Sequence, residues 1–430
     1  MGHAIRSCIL GMRIAQELEL PVRDRSDLYY ALLLKDAGCS ANSARLHHIL
    51  GSDDRKAKRE AKYEDWTRLS YSGFKYLLRN VLPQASAAER IMRIAKLGVD
   101  LNQNKLDIIT ARCDRGAEIA RKVGLSSAAV SSISSLDELW NGHGFPRGLR
   151  GEQIPLLARI MNLSQTLEVF ASLSGPRIAM KVISNRSASW FDPSMVHVIK
   201  RLEHDDALWR AVSAPDARKY VLQIEPGVPI QATENAVENL CLAFSQVIDA
   251  KSPYTFQHST KVAQMASAIA KKLGMAPAMI TMTRRAGLLR DIGKLSISNS
   301  ILEKPGELTV LEWDAVRMSP IYTRLILANI TGMADLAFCA GAYNERLDGS
   351  GYPDGLTELE IPLSSRVIAV ADTFQAMREK RPYREPWSAE TVLDMMRCLI
   401  PHKLDCDCFE ALREYVFENP GSALAHAAGV

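Results

Sequence analysis

Four segments of the first half of the chain recur in its second half at two constant spacings. The segments are 2–6 and 33–38, which recur 255 positions later, and 138–146 and 154–159, which recur 207 positions later. The difference between the two spacings places 48 extra residues in the first copy, between Asp36 and Glu138. An internal repeat of this length predicts two copies of one domain.

The spacing of apolar residues predicts helices in both copies. After His258, apolar residues recur at a helical spacing until Gly274: Val262, Met265, Ala266, Ile269 and Leu273. The same spacing follows His3, and alternating strand-like patterns are scarce. We therefore predict an all-α chain, divided at the turn-rich stretch 225–229. The predicted parts are a first copy at 1–215, a linker at 216–234 and a second copy at 235–430.

Composition narrows the class of protein. The net charge of +4 over 430 residues is small and does not favour direct nucleic-acid binding. The eight cysteines are scattered, which is typical of buried reduced thiols. No apolar run reaches the roughly 18–20 residues that a membrane helix needs, and the N-terminus has no signal-peptide pattern. These features predict a cytoplasmic protein without a membrane span.

One loop and four flanking blocks indicate a family. Residues 342–353 read Ala-Tyr-Asn-Glu-Arg-Leu-Asp-Gly-Ser-Gly-Tyr-Pro, and the flanking blocks are 249–258, 286–294, 301–309 and 361–372. Together they resemble the HD-GYP family, whose members hydrolyse cyclic dinucleotides at a metal centre held by histidines and aspartates. The resemblance implies two tandem HD-type helical bundle domains, with the first copy lacking the helix that precedes its first histidine.

The resemblance also implies where the metal ligands belong. In the second copy, ligand-type residues stand at three of these positions: His258, Asp291 and Asp372. The histidines of the family are replaced at four others: Arg290, Ser319, Tyr343 and Asn344. Arginine stays protonated and has no lone pair for a metal, so the remaining ligands can form at most one three-ligand site. We expect that site to be without a metal.

The first copy keeps fewer ligands. His3 and Asp36 remain, but Lys35 replaces the histidine that should precede Asp36. The loop histidines and the late aspartate are also replaced, by Leu136, Asp137 and Gln165. We expect no catalysis in the first copy.

Both copies thus place a cation, Lys35 or Arg290, where a metal-binding histidine belongs. One interpretation is a salt bridge that takes the place of the metal. The other is a metal-free phosphate site, in which cations bind a nucleotide by charge-assisted hydrogen bonds. Its candidate ligand-binding residues are Arg290, Lys294, Arg346, Asp348, Gly351, Tyr352, Pro353 and Arg366. Lys294 would be the catalytic candidate if the domain were active.

These replacements lead to a functional hypothesis. We predict a non-catalytic regulatory protein that senses a cyclic dinucleotide, binds a protein partner or forms a homo-oligomer, with no cofactor. The alternative is a phosphodiesterase that hydrolyses cyclic di-GMP or a related phosphate ester with one divalent Fe, Mn or Zn. A second alternative is transcription control through a partner, because too few residues follow Tyr415 for a DNA-binding module.

Overall fold

A computed structural model describes residues 2–61, 64, 71–83, 85–99, 101–227, 233–252, 257–380 and 385–419. The predicted all-α class is confirmed: among these residues there are helices, turns and two isolated bridges, and no strand. The chain forms two compact units, Met1–Ala236 and Val237–Val430.

The helices of the first unit are α1 His3–Glu17, α2 Val22–Leu34, α3 Ser43–Leu50, α4 Asp54–Ala61, α5 Tyr71–Asn80, α6 Ala87–Val99, α7 Leu101–Lys122, α8 Ser127–Ser134, α9 Leu156–Ser174, α10 Pro176–Asn185, α11 Pro193–Ile199, α12 Asp206–Ser213 and α13 Ala217–Gln223. The predicted linker 216–234 therefore includes α13, and its residues 228–232 lie outside the described part of the chain.

The next helix, α14 Glu234–Asp249, spans the boundary between the units. The remaining helices are α15 His258–Lys272, α16 Pro277–Leu289, α17 Asn299–Leu302, α18 Val310–Arg317, α19 Ser319–Leu327, α20 Ala334–Gly341, α21 Leu363–Met377, α22 Ala389–Arg397 and α23 Cys406–Glu418. Short 3-10 helices occupy Ala37–Asn42, Gly151–Gln153, Lys200–His204 and Ile292–Ser296.

The helix boundaries follow the sequence repeat. Helices α15 and α16 begin and end 255 positions after α1 and α2, and α21 begins 207 positions after α9. In each unit the first helix of the repeat packs against the second and against the later one. Local sequence sets these boundaries: Gly274 at φ +69° follows the end of α15, and Pro277 opens α16.

Each unit has its own apolar core. The core of the first unit forms around α1, α2 and α9, and that of the second around α15, α16, α21 and α23. The helices α3 to α6, in the region of the first copy that contains the extra residues, form a small separate cluster around Leu50, Ala57, Val81 and Leu97. This region therefore packs apart from the main core.

Candidate functional site

Three elements of the second unit bring the predicted metal ligands together. His258 is the first residue of α15, Asp291 lies between α16 and the next 3-10 helix, and Asp372 lies in α21. One ligand atom from each residue lies within 4.8 Å of the others. Because α15 packs on both α16 and α21, the fold of the bundle determines this convergence.

The carboxylate of Asp372 is contacted by both Arg290 and His258. Arg290 donates to its Oδ1 from Nε at 3.0 Å and from Nη2 at 2.6 Å. The Nε2 atom of His258 lies 3.1 Å from the same oxygen. Arg290 also donates from Nη1 to the carbonyl oxygen of Gly287 at 2.7 Å, and its side chain is fully buried. The guanidinium is thus fixed beside a carboxylate of the predicted ligand set.

Asp291 is held by three different donors. The hydroxyl of Tyr343 donates to its Oδ1 at 2.7 Å, and Nζ of Lys294 lies 2.8 Å from the same oxygen. The Nη2 atom of Arg290 lies 3.5 Å from Oδ2. Tyr343 occupies the position of a loop histidine in the family. Its hydroxyl therefore contacts directly a carboxylate that the resemblance assigns to the metal site.

The buried charges of the cluster stabilise one another. Burial alone would raise the pKa of Asp291, but Lys294 and Arg290 outweigh it and lower that pKa to about 2. The pKa of Asp372 is likewise held well below its usual range, against burial, by Arg290 and by the hydrogen bond with His258. The pKa of Arg290 is raised because these carboxylates outweigh its desolvation. Both aspartates are therefore ionised near neutral pH.

The donor set fits one divalent cation. One imidazole and two ionised carboxylates, spaced within 4.8 Å, match a three-ligand site in chemistry and in geometry. They do not fit the multi-ion centre that the resemblance implies, because the further histidines are absent. A cation at this site would share the carboxylate of Asp372 with Arg290, so metal and guanidinium would compete for it.

One glutamate organises the loop that carries the family signature. The buried carboxylate of Glu345 accepts hydrogen bonds from the backbone N–H of Asp354 at 2.8 Å and of Leu356 at 3.0 Å. A side chain at Gly351 would meet the backbone of Glu345 at 2.4 Å, so only glycine fits there. The peptide bond before Pro353 is cis.

The first unit repeats this loop at the predicted spacing of 207. Glu138 accepts from the backbone N–H of Arg147 at 2.8 Å and of Leu149 at 2.9 Å, and the peptide bond before Pro146 is cis. A side chain at Gly144 would meet the backbone of Glu138 at 2.5 Å. The loop therefore keeps its shape in a copy that has lost most metal ligands.

The structure assigns different surroundings to the other predicted ligand-binding residues. Arg346 donates from Nη1 to the carbonyl oxygen of Glu345 at 2.9 Å, at the edge of the loop. Asp348 is exposed and accepts from the backbone N–H of Ser350 at 3.0 Å. Arg366 ties α21 to the start of α23 through Asp405, with Nη1 and Oδ2 3.1 Å apart. Its guanidinium is thus used in helix packing.

Two glutamates, one in each unit, contact a histidine of the predicted ligand set but were not themselves predicted as ligands. The Oε2 atom of Glu379 lies 2.9 Å from Nδ1 of His258, and Glu168 contacts Nδ1 of His3 in the first unit. Glu379 lies two residues beyond the end of α21 at Met377. No helical spacing in the sequence therefore indicates that it lies beside His258.

The first unit has its own charged cluster at the matching place. Nζ of Lys35 lies 2.6 Å from Oδ2 of Asp36 and 3.1 Å from Nε2 of His3. The side chain of Lys35 is buried, and Arg6 contacts Glu168 with its Nε 2.6 Å from Oε1. In both units a buried cation therefore contacts the aspartate that follows it in the sequence.

Comparison with known proteins identifies the family. A family model described as an HD domain matches residues 84–195 and 243–407. The 3'3'-cGAMP-specific phosphodiesterase 3 of Vibrio cholerae serotype O1 is 40% identical over 96% of this chain and 89% of its own length. The 3'3'-cGAMP-specific phosphodiesterase 1 of the same organism is 35% identical over 52% of each chain. The chain therefore belongs to the HD domain family, and the predicted HD-GYP membership is confirmed.

A solved structure supports the same assignment. The crystal structure of a cyclic GMP-AMP specific phosphodiesterase of Vibrio cholerae aligns over 96% of this chain and 92% of that chain. Its sequence identity is 35% and the TM-score is 0.63. Separately, none of the described helices is long and apolar enough to cross a bilayer.

The leading functional prediction, a non-catalytic regulatory protein, is wrong. Relatives that match nearly the whole chain are named as phosphodiesterases, which favours the catalytic alternative. The prediction rested on counting lost histidines in one sequence. That count did not include the similarity over the rest of the chain.

Proposed function

We propose that the chain is a phosphodiesterase that hydrolyses a cyclic dinucleotide of the 3'3'-cyclic GMP-AMP class in its second unit. The observation that carries the proposal is the 40% identity with a 3'3'-cGAMP-specific phosphodiesterase over 96% of this chain and 89% of that protein. The convergence of His258, Asp291 and Asp372 supplies the chemical site. Hydrolysis adds water across one phosphodiester bond and opens the ring to a linear dinucleotide.

His258, Asp291 and Asp372 would hold one divalent Fe, Mn or Zn. When bound, such an ion lowers the pKa of a water molecule and stabilises charge on phosphoryl oxygens. Arg290 donates two hydrogen bonds to Asp372, so its positive charge lies beside the site and opposes the binding of a cation. We therefore expect the affinity for metal to be lower than in a histidine-rich site.

Lys294 and Arg346 are the residues that we assign to the phosphates. The side chain of Lys294 is one-third exposed, and its Nζ lies 2.8 Å from Asp291, so the ammonium borders both the cluster and solvent. Arg346 is partly buried at the edge of the signature loop, which Glu345 and Gly351 hold in shape. Each cation can donate charge-assisted hydrogen bonds to a phosphate oxygen and so orient the bond that is cleaved.

The experiment is a hydrolysis assay of the full chain with 3'3'-cyclic GMP-AMP. The linear product is separated by liquid chromatography after incubation with Mn²⁺, with Fe²⁺ under anaerobic conditions, with Zn²⁺, or with EDTA. We expect turnover with at least one ion, none in EDTA, and loss of turnover in Asp291→Asn.

The matched control is Asp407→Asn, which changes an exposed aspartate in the first turn of α23. It should leave turnover unchanged. Absence of turnover with every ion would overturn the proposed activity. Full turnover in Asp291→Asn would instead move the reaction away from this cluster.

A further inference from the structure

Helix α18 presents an aromatic ring and a cation to solvent on one face. Trp313 is 44% exposed, and the guanidinium carbon of Arg317 lies 6.0 Å from the centre of its ring. Residues four apart lie on the same side of a helix. None of the residues of α18 is buried. Packing within the protein therefore does not explain why a tryptophan and an arginine occupy these two positions.

The helix is nevertheless held firmly at its start. Thr309 and Glu312 form a reciprocal capping pair, with the backbone N–H of Thr309 donating to Glu312 at 2.7 Å. Nζ of Lys304 lies 2.6 Å from the same carboxylate oxygen. A preformed surface of this kind loses little conformational freedom when a ligand binds.

Helix α19, which begins two residues after α18 ends, packs on the 3-10 helix Ile292–Ser296 that follows Asp291. Ser319 lies two residues after Arg317. Its carbonyl oxygen would be only 1.9 Å from a Cβ atom added at Gly293. The backbones can approach this closely only because residue 293 is glycine. Gly293 in turn adjoins Lys294, whose Nζ lies 2.8 Å from Asp291.

The signature loop is tied to α19, the helix that follows α18. Arg324 in α19 forms two hydrogen bonds with the carboxylate of Asp354, at 2.6 and 3.1 Å. Burial raises the pKa of Tyr352 in this loop to about 12, while Arg346 and Arg317 both act in the lowering direction. Arg317 is therefore close enough to the loop for its charge to act on Tyr352.

We propose that Trp313 and Arg317 form a platform on which one nucleobase of the cyclic dinucleotide stacks while its phosphate binds near Lys294. The substrate class rests on the proposed function. An indole offers a face to a purine ring, and a guanidinium adds a cationic partner for the same ring. The platform would bind a base, and the reaction at the phosphate would take place at the cluster of His258, Asp291 and Asp372.

The test is equilibrium binding by calorimetry in EDTA, where no metal-dependent turnover occurs. The probes are 3'3'-cyclic GMP-AMP, GMP and, as a base-free control, ribose 5-phosphate. We expect wild type to prefer GMP over ribose 5-phosphate. Trp313→Ala should weaken binding of 3'3'-cyclic GMP-AMP by about tenfold or more, the loss of one base–aromatic stack, whereas Trp313→Phe should keep most of the affinity.

Two matched controls distinguish the platform from general surface effects. Leu311→Ala changes an exposed side chain of the same helix, two positions from Trp313 and so on another face. Arg397→Ala removes an exposed arginine that pairs with an aspartate three residues earlier, as Arg317 pairs with Asp314. Both controls should bind as wild type, and Arg317→Ala should bind more weakly than either.

The platform and the proposed activity fail in different ways. If wild type hydrolyses no substrate but binding depends on Trp313, the activity is wrong and the platform stands. If hydrolysis occurs and Trp313→Ala matches Leu311→Ala in binding and in KM, the platform is overturned and the activity stands. Equal binding of GMP and ribose 5-phosphate, or no binding of any probe, also overturns the platform.

Discussion

Arg290 donates two hydrogen bonds to a single carboxylate oxygen of Asp372, from Nε at 3.0 Å and from Nη2 at 2.6 Å. A permanent cation thus contacts a carboxylate that the resemblance to the family assigns to the metal site. In each unit a cation of the chain itself contacts one of these aspartates: Lys35 contacts Asp36 in the first unit, and Arg290 contacts Asp372 in the second.

The first prediction concerns stability. Arg290→Ala leaves two carboxylates without their buried cation, and such a change typically costs about 3–5 kcal/mol. We expect the free energy of unfolding of the second unit to fall by about this amount, measured by urea denaturation beside wild type. Arg397→Ala, which removes an exposed arginine, should change it by no more than about 0.5 kcal/mol. A similar small change in Arg290→Ala would contradict the inferred role of the ion pair.

The second prediction concerns metal affinity. Arg290→His replaces a competing cation by an imidazole with a free lone pair, at the position where the family has a histidine. We expect Mn²⁺ to bind at least about tenfold more tightly, since one added ligand or one removed competitor is worth more than about 1.4 kcal/mol. Calorimetric titration of the metal-free protein measures this.

The control for metal affinity is Arg284→His, which places an imidazole in α16, the helix that ends just before Arg290, at a position that pairs with Glu238. It should leave Mn²⁺ affinity unchanged. Equal affinities in wild type and Arg290→His would show that Arg290 does not compete with the metal.

The sequence predicted the fold in some detail. The spacings of 255 and 207 reappear in the starting residues of α15 and α21 relative to α1 and α9, because the repeat preserves the apolar faces that pack. The three ligand positions also converge as the resemblance implied.

Other contacts depend on three-dimensional packing that one sequence does not reveal. The bond from Tyr343 to Asp291 joins residues 52 positions apart, and nothing in the loop sequence indicates that the hydroxyl points inward. Likewise, Arg366 pairs with Asp405 at the start of α23, although the sequence presented Arg366 as a ligand candidate. Charged side chains can serve packing or binding, and only their neighbours decide which.

The third prediction concerns the signature loop. Glu345→Ala removes the acceptor of two backbone N–H groups, and a hydrogen bond to a charged group is worth about 1.5–3 kcal/mol. We expect the loop to lose its shape and kcat/KM to fall by at least about tenfold. Glu345→Gln keeps one acceptor oxygen and should be milder.

The first unit offers the control for this loop. Glu138→Ala removes the equivalent contacts to Arg147 and Leu149, so it should destabilise that unit to a similar degree. Because the proposed reaction occurs in the second unit, hydrolysis should be retained in Glu138→Ala. An equal loss of kcat/KM in both variants would point to a reaction that requires both loops.

The last prediction concerns acid stability. The pKa of Asp291 falls from 3.8 to about 2 on folding, against its burial, because Lys294 and Arg290 stabilise the charged form. A lowered pKa contributes stability that is complete above pH 4 or so and is lost as the pH falls through about 2. The contribution is about 2 kcal/mol on the scale of 1.4 kcal/mol for each unit of pKa. The free energy of unfolding of wild type should therefore fall more steeply than that of Asp291→Asn between about pH 4 and pH 2. Parallel slopes in urea denaturation series over that range would mean that Asp291 keeps an ordinary pKa in the folded protein.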